Sequence, residues 1–428
     1  MRNKEKAKES VDDARRKGQE ESDMNERMDP KKLHIAMCYF PQQFWDEEHL
    51  KQAVDCGIDL FIYLIGAPRS FLDLMQKYGI GAIEHGAVPG HRGSGWEGQF
   101  SETNPLSIYE QAASKFEDHP AIWAVNECDE PSALDLPHHG VVIDAINRAF
   151  PHQFPFINLF PSYASVAENT EDQAKSQLGT RSYEEYLRRY TECVGLDYIC
   201  FDDYMYAHED NPRAGQFFDN LRLVAEACRR TGRRMWCLLQ CGEICDLPAD
   251  ITVNKLRYQV NGAMAFGAEM IGWWEGSQII GADGEPNEQF TRLKTVHRET
   301  LAVADDYMRY RNVNTVLVGF PDGDPIPEGS HMESLPALNT GVFFDVHSEN
   351  GKALCIGQMT ARDGSGRQAL WIMNASDYTG TDEEPARVTM NVRHRMVRVR
   401  GAADMLTDGG TVSFSLPVCC AALVEADG

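Results

Sequence analysis

A run of acidic and amide residues at positions 126–131, Asn-Glu-Cys-Asp-Glu-Pro, has the composition of a reactive site. Carboxyl groups can donate protons, accept protons or act as nucleophiles, and a nearby negative charge raises the pKa of such a group. Glu130 follows an apolar run and has Asp129 and Glu127 as negative neighbours, so we predict that it stays protonated near neutral pH. Pro131 then directs the backbone away from helix. The alternative is an ordinary helix start, at which acidic side chains complement the helix dipole.

Eight short apolar runs alternate with longer amphipathic segments from residue 33 onward. Their length and their content of β-branched and aromatic residues are typical of strands buried on both faces. The runs cover residues 33–40, 58–64, 80–85, 122–127, 154–160, 196–202, 235–240 and 270–274. Eight such strand–helix units predict an α/β fold, a (β/α)8 TIM barrel, with an open doubly wound sheet as the alternative. No glycine-rich phosphate turn follows the first run, which favours the barrel.

Glycines mark the ends of five predicted helices, because a glycine accepts the left-handed conformation of a helix cap at little steric cost. The helices 46–56, 71–78, 183–194, 221–231 and 254–266 precede Gly57, Gly79, Gly195, Gly232 and Gly267. After residue 311 the helical pattern gives way to short alternating strands separated by turn residues. We therefore predict a charged, mobile N-terminal segment at 1–30, the catalytic barrel at 31–311 and an antiparallel β-sandwich-like domain at 312–428.

Composition and charge restrict the partners of the chain. Its 428 residues carry a net charge of −24, with 43% apolar and 25% charged residues, as in an ordinary globular protein. The negative charge opposes binding to nucleic acid or to an anionic membrane, so we expect a small neutral ligand, while an oligomer of the chain stays possible. We find no apolar stretch long enough to span a bilayer and no signal-peptide core, and we therefore expect a cytoplasmic location.

The cysteines and histidines predict neither a metal nor another cofactor. Twelve cysteines with irregular spacing favour reduced thiols over a disulfide framework. Cys237, Cys241 and Cys245 recur every four residues, but the last gap is one residue longer than in the cysteine run that ligates an iron–sulfur cluster. No set of histidine with cysteine or aspartate has a spacing that demands zinc.

The reactive face of such a barrel lies at the C-terminal ends of its strands and in the loops that follow. Carboxyl, amide, imidazole and aromatic side chains occupy those positions, with few lysines or arginines. The candidates are His85, Asp129, Glu130, Asn158, Asp202, Asp203, Tyr204, Gln240, Glu243, Trp273, Trp274 and Glu275. Carboxylates and amides bind hydroxyl groups, and aromatic rings stack on the apolar face of a sugar, so this lining suits a neutral carbohydrate.

The segment WAVNECDEPSA at 123–133 resembles the fourth-strand signature of clan A glycoside hydrolases. In that signature an Asn-Glu-Pro or Asp-Glu-Pro triplet closes the strand, and its Glu is the general acid/base. The segments 158–164, 182–187, 197–206, 240–242 and 266–276 are also similar to poorly characterised β-galactosidase-like barrels of this clan. The resemblance covers residues 33–311, and the strands after them resemble the accessory β domain of such enzymes.

The resemblance implies a glycosidase that retains configuration, with Glu130 protonating the leaving group and later activating water. The family's nucleophile is a Glu at the end of strand seven, where this sequence has Gln240. Glu243 is therefore the first candidate for the nucleophile and Glu275 the second. Two alternatives follow from the same residues. The Gln240 departure favours a carbohydrate-binding barrel without activity, and the acidic mouth also permits a metal-dependent lyase or isomerase.

Overall fold

Eight parallel strands close into a barrel in the computed structural model, which describes residues 27–88, 105–166, 176–207, 214–244, 249–281, 283–320 and 331–427. The strands are β1 (His34–Cys38), β2 (Leu60–Leu64), β3 (Gly81–Glu84), β4 (Ile122–Asp129), β5 (Phe154–Leu159), β6 (Tyr198–Asp203), β7 (Arg234–Gln240) and β8 (Ala268–Trp274). Pairing of β1 with β8, with His34 opposite Met270, closes the ring. The predicted TIM barrel is confirmed, and all eight strands fall within the predicted runs or extend them by a few residues.

One α-helix follows each barrel strand within the described residues. The helices are α1 (Glu47–Cys56), α2 (Arg69–Tyr78), α3 (Ser107–Ala113), α4 (Leu136–Ala149), α5 (Tyr183–Cys193), α6 (Ala214–Thr231), α7 (Val253–Ala265) and α8 (Glu288–Tyr307). Gly57 and Gly79 end α1 and α2 with φ of +93° and +71°, as their position in the sequence predicts. The prediction for Gly195 is wrong: α5 ends at Cys193, because Val194 already adopts an extended conformation.

The base of the barrel is closed by the residues just before β1. The predicted mobile segment 1–30 lies outside the described residues up to position 26, but the chain packs from Arg27 onward. The Arg27 guanidinium donates to the Asp118 carboxylate at 2.9 Å and to the carbonyl oxygens of His119 and Ile122 at 2.8 Å. Met28 is fully buried. These contacts cover the end of the barrel that lies opposite the strand C-termini.

A mostly antiparallel sheet of eight strands forms the C-terminal part, which confirms the predicted β-sandwich-like domain. Its strands are β9 (Tyr310–Val318), β10 (Ser334–Leu335), β11 (Phe343–Ser348), β12 (Leu354–Ala361), β13 (Gln368–Asn374), β14 (Ala386–Gly401), β15 (Met405–Leu416) and β16 (Ala421–Asp427). Tyr310 and Arg311 already pair with β12, so the sheet begins where α8 ends. No helix within these described ranges has the length and apolar character needed to cross a membrane.

Helix α7 joins the barrel to this sheet. The Trp371 indole N–H donates to the carbonyl oxygen of Asn261 at 3.1 Å, and the Asn261 amide donates to the carbonyl oxygen of Cys419 at 2.7 Å. At Gly357 of β12 a Cβ atom would lie 2.2 Å from the carbonyl oxygen of Ala265, so only glycine permits this approach. The contact is therefore a close-packed interface with directed hydrogen bonds.

Candidate active site

A bulge in β4 determines which side chains enter the mouth of the barrel. Asn126 pairs with Phe156 of β5, and Cys128 pairs with the next residue, Ile157, so Glu127 is an extra residue in the strand. Asn126 and Asp129 consequently face the barrel interior, although they are three positions apart. Glu127 lies on the other side of the strand and contacts α4. The predicted reactive run thus divides into two groups with different surroundings.

Asp129 lies at the centre of a hydrogen-bonded network on the floor of the mouth. The Tyr63 hydroxyl donates to its Oδ1 at 2.8 Å, and the Asn158 amide donates to the same atom at 3.2 Å. The same Asn158 nitrogen donates to Asp202 Oδ1 at 2.8 Å. Since both oxygen atoms contact one nitrogen, they lie no more than about 6 Å apart. Asn158 of β5 therefore holds the carboxyl groups of Asp129 on β4 and Asp202 on β6 close together as a pair.

Asp129 and Asp202 do not both ionise readily. Burial raises the pKa of Asp129 above its usual value, although the hydrogen bonds from Tyr63 and Asn158 oppose the shift. Burial also raises the pKa of Asp202, and the negative charge of Asp129 raises it further. Two carboxylates this close repel each other in a poorly solvated site, so one of the two keeps a proton at a higher pH than an isolated aspartic acid.

His85 forms the neighbouring part of the floor, at the end of β3. The Asn126 amide donates to its Nδ1 at 2.9 Å, and the Tyr63 and His85 rings meet edge to face with their centres 5.8 Å apart. Burial lowers the pKa of His85, and the charge of Asp129 only partly offsets this effect. The neutral imidazole therefore carries its proton on Nε2, which leaves that atom as a hydrogen-bond donor.

Aromatic rings form a continuous wall above this floor. Tyr39 stacks on Tyr63 at 4.9 Å between ring centres, and Trp274 meets Tyr39 edge to face at 5.1 Å. Tyr204 extends the wall, 6.1 Å from Trp274. Tyr39, Trp274 and Tyr204 are half-buried, so their rings are accessible from the mouth. The sequence predicts Trp274 and Tyr204 but misses Tyr39 and Tyr63, which the rule on strand ends finds when it is applied to β1 and β2 as well.

Glu130 follows β4 in a strained conformation with φ of +49°. Its backbone N–H donates to the carbonyl oxygen of Asn158 at 2.8 Å, which fixes the turn. Tyr39 and Tyr63, with φ of +50° and +61°, share this conformation at the ends of β1 and β2. Each such residue costs roughly 1–3 kcal/mol, and residues of this kind cluster where the chain builds a functional site. Burial raises the pKa of Tyr204, and the charges of Asp202 and Glu130 add to this shift.

The two candidates for the opposing carboxylate differ in their surroundings. Glu275 directly follows Trp274 and is half-buried, and it accepts a hydrogen bond from the Ser277 hydroxyl at 2.5 Å. Burial raises the pKa of Tyr39, and the charges of Asp129 and Glu275 add to that shift. Glu243 lies three residues beyond β7 with an exposed side chain, and its backbone N–H donates to Gln278. The structure thus brings Glu275, and not the Glu243 carboxylate, to the aromatic wall.

Three predicted site residues contact structural partners away from the mouth. Gln240 is fully buried; its side-chain Oε1 accepts from the Tyr206 backbone N–H at 3.0 Å, and its Nε2 donates to the carbonyl oxygen of Gly242 at 2.9 Å. Asp203 faces outward and accepts from Asn220 of α6 at 2.8 Å. Trp273 is also fully buried and donates to His297 of α8 at 2.7 Å. These side chains fix the loops and helices around the mouth.

Comparison with known proteins yields similarity at the level of the fold. No protein-family model and no curated protein matches the chain. The α-L-fucosidase isoenzyme 2 of Paenibacillus thiaminolyticus is 8% identical, with a TM-score of 0.54 over 93% of this chain and 100% of that one. The α-galactosidase I of Mortierella vinacea is 10% identical, with a TM-score of 0.47 over 94% and 98%. A putative α-L-fucosidase of Bacteroides thetaiotaomicron is 15% identical, with a TM-score of 0.44 over 64% and 94%.

At these identities the likeness shows the fold alone. The α-L-fucosidase of Paenibacillus thiaminolyticus, with a TM-score of 0.54, therefore shares its overall fold with this chain.

Proposed function

We propose that the chain is a glycoside hydrolase that cleaves a neutral oligosaccharide or glycoside in the mouth of its barrel. The observation that supports this proposal most directly is the Asp129–Asp202 pair beside the aromatic wall, with Glu130 directly after β4 and Glu275 directly after β8. Glycoside hydrolysis needs two carboxyl groups of different protonation state, and aromatic rings bind the apolar face of a sugar. Amide, phenol and imidazole groups beside them supply hydrogen bonds to hydroxyl groups without a fixed positive charge.

In this proposal Glu130 is the acid/base and Glu275 the nucleophile. The two residues follow β4 and β8, which lie opposite each other in a closed ring of eight strands. A sugar bound between them presents its anomeric centre to both. Glu275 takes precedence over Glu243, because Glu275 lies next to Trp274 while the Glu243 side chain faces solvent. The nucleophile attacks the anomeric carbon, Glu130 protonates the leaving oxygen, and Glu130 then removes a proton from the water that releases the sugar.

The remaining mouth residues bind the sugar. Asp129, Asn158 and His85 line the floor, where they accept from and donate to sugar hydroxyls. Trp274 and Tyr204 stack against the ring. Gln240 and Trp273 act indirectly, since they hold the loop after β7 and the end of β8 in place.

A second assignment of the reacting pair has its own support. Asp129 and Asp202 have oxygen atoms no more than about 6 Å apart, which is near the roughly 5–5.5 Å between the carboxyl groups of retaining glycosidases. Their raised pKa values also favour one protonated and one ionised member. In that case Glu130 and Glu275 would bind substrate instead of reacting.

Kinetics with aryl glycosides of neutral sugars distinguishes the two assignments. We expect Glu130→Gln to lower kcat/KM about 10²–10⁴-fold for poor leaving groups and much less for dinitrophenyl glycosides, which need no acid. Glu275→Ala should lose turnover and recover it with azide, which takes the place of the nucleophile and yields a glycosyl azide. Glu243→Gln is the matched control and should retain activity. Near-normal hydrolysis of an unactivated glycoside by Glu130→Gln would refute the assignment of Glu130 as the acid/base. Recovery of activity with azide in Asp129→Ala or Asp202→Ala would instead support the Asp129–Asp202 pair as the reacting groups.

The Gln240 departure supports one rival function, a carbohydrate-binding barrel without hydrolytic activity. A buried, fully hydrogen-bonded amide occupies the end of β7, where the resembled family has its nucleophile. Calorimetric titration with neutral oligosaccharides tests this rival. Binding that Trp274→Ala abolishes, together with no hydrolysis of any activated glycoside by the native chain, would favour the binding protein over the enzyme.

A further inference from the structure

A second group of reactive side chains lies behind the mouth, on the outer side of β4. Glu127 and Cys128 from the strand meet His139 of α4, and all three are buried, with side-chain exposures of 0% for Glu127 and 1% for His139. The sequence shows no zinc pattern here, because Cys128 and His139 are separated by eleven positions. The bulge at Glu127 places Glu127 and Cys128 on the same face of β4, whereas consecutive residues of a regular strand point to opposite faces.

The three ligand-bearing atoms are close together. His139 Nδ1 lies 2.9 Å from both carboxylate oxygens of Glu127, and the Cys128 sulfur, the Glu127 oxygen and the His139 nitrogen all lie within 4.8 Å of one another. Zinc binds sulfur at about 2.3 Å and nitrogen or oxygen at about 2.0–2.2 Å, so its ligand atoms lie roughly 3.5 Å apart. Small shifts of these side chains would therefore give three tetrahedral positions.

The surrounding charge also favours a cation. The Glu127 carboxylate has 0% side-chain exposure and lies within 4.8 Å of the Cys128 sulfur. Buried charges in proteins are paired or coordinate metals, so a cation bound here would be paired with this carboxylate.

We propose that Glu127, Cys128 and His139 bind a divalent cation of the zinc class, with water as the fourth ligand. The ion is structural: it ties β4 to α4 immediately behind Asp129 and Glu130, and so fixes the strand end that carries them. On binding, the thiol proton leaves to solvent, and a sulfur–metal bond replaces the contact in which the thiol donates to the Asp129 carbonyl oxygen. The His139 proton moves from Nδ1 to Nε2, so that nitrogen–metal and oxygen–metal bonds replace the hydrogen bond between His139 and Glu127. This site is independent of the glycosidase proposal.

Metal analysis of chain produced in zinc-supplemented medium tests the site. After dialysis against a weak chelator we expect about one zinc per chain. The variants Cys128→Ser and His139→Gln should each retain at least about tenfold less zinc than the native chain. Cys355→Ser is the matched control, because Cys355 is an equally buried thiol in β12, far from the trio, and it should retain full zinc. Loading with Co²⁺ should give the intense visible bands of tetrahedral cobalt and a thiolate charge-transfer band in the near ultraviolet.

If Cys128→Ser does not fold, the native chain still decides the question. Zinc should protect Cys128, and not Cys355, from a thiol reagent under partly denaturing conditions, as peptide mass spectrometry measures. Native chain that contains no zinc and shows no cobalt–thiolate band overturns the proposal and leaves a hydrogen-bonded Glu–His pair only. Equal zinc in the native chain and both ligand variants also overturns it, because the ion then lies elsewhere. Neither result bears on glycoside hydrolysis.

Discussion

The buried histidine of α8 makes the stability of the fold depend on pH. His297 is fully buried, its Nε2 accepts from the Trp273 indole N–H at 2.7 Å, and its Nδ1–H donates to the carbonyl oxygen of Cys56 at 2.7 Å. A second proton would have to bind Nε2, directly opposite an N–H donor. Burial lowers the pKa of His297 to about 4, although the contact with Cys56 opposes the shift. The native fold therefore requires the neutral ring.

The size of this effect follows from the difference between the folded and unfolded states. An unfolded histidine has a pKa of about 6.5, against about 4 in the folded chain. Between these pH values the unfolded chain binds more protons than the folded chain. The contribution of His297 to the free energy of unfolding is therefore complete above pH 6.5 and is lost as the pH decreases toward 4. At about 1.4 kcal/mol per pKa unit the whole effect is roughly 3 kcal/mol, of which about 2 kcal/mol is lost between pH 7.5 and pH 5.

Urea unfolding followed by tryptophan fluorescence measures this loss at several pH values in the native chain and in His297→Gln. Glutamine cannot take up a proton, so the native chain should lose about 2 kcal/mol more than the variant between pH 7.5 and pH 5. Trp273→Phe removes the donor that blocks Nε2 and should reduce the difference by raising the pKa of His297. Equal pH dependence in the native chain and His297→Gln would refute the reasoning, and so would an NMR titration of His297 with a midpoint near 6.5.

Three further substitutions test other contacts. Tyr63→Phe removes a hydrogen bond that lowers the pKa of Asp129, so the acidic limb of the pH profile of kcat/KM should move to higher pH. An unchanged profile would show that Asp129 does not need to ionise. Gly57→Ala places a residue with a side chain at a φ of +93° and should lower the free energy of unfolding, measured with urea, by about 1–2 kcal/mol. An unchanged free energy of unfolding would show that this conformation causes no strain in alanine. Tyr206→Phe loses the hydrogen bond to the Tyr378 carbonyl oxygen at 2.6 Å and should cost about 1 kcal/mol in the same assay; no loss would mean that this contact adds nothing.

The barrel could be predicted from the sequence because its signal is repeated eight times. Each apolar run has the length of a buried strand, and most runs are separated by a helix with a recognisable end. The predicted ends of individual helices were less reliable, because a glycine after a helix permits a left-handed cap without requiring it. Val194 shows this: the chain leaves α5 one residue before Gly195.

The positions of the site residues along the chain could be predicted from the sequence, but the directions of their side chains could not. Strands buried on both faces lack the alternation that shows which residue points inward. Asp202 and Asp203 are identical in type and adjacent, yet one contacts the mouth and the other contacts α6. Trp273 and Trp274 divide in the same way. At β4 the bulge shifts the alternation within the reactive run itself, which no pattern of residue types reveals.

The close contact along α7 has a consequence for how the chain can be divided. A fragment that stops near residue 311 would leave the Asn261 carbonyl oxygen without Trp371 of β13 and the Asn261 side-chain amide without the Cys419 carbonyl oxygen. It would also remove the β12 backbone at Gly357 that packs on the Ala265 carbonyl oxygen. It would also expose the apolar surface that Trp371 covers, and such a fragment should aggregate instead of folding. Barrel and sheet should accordingly unfold together in one calorimetric transition, so that a substitution that destabilises the sheet also destabilises the mouth of the barrel.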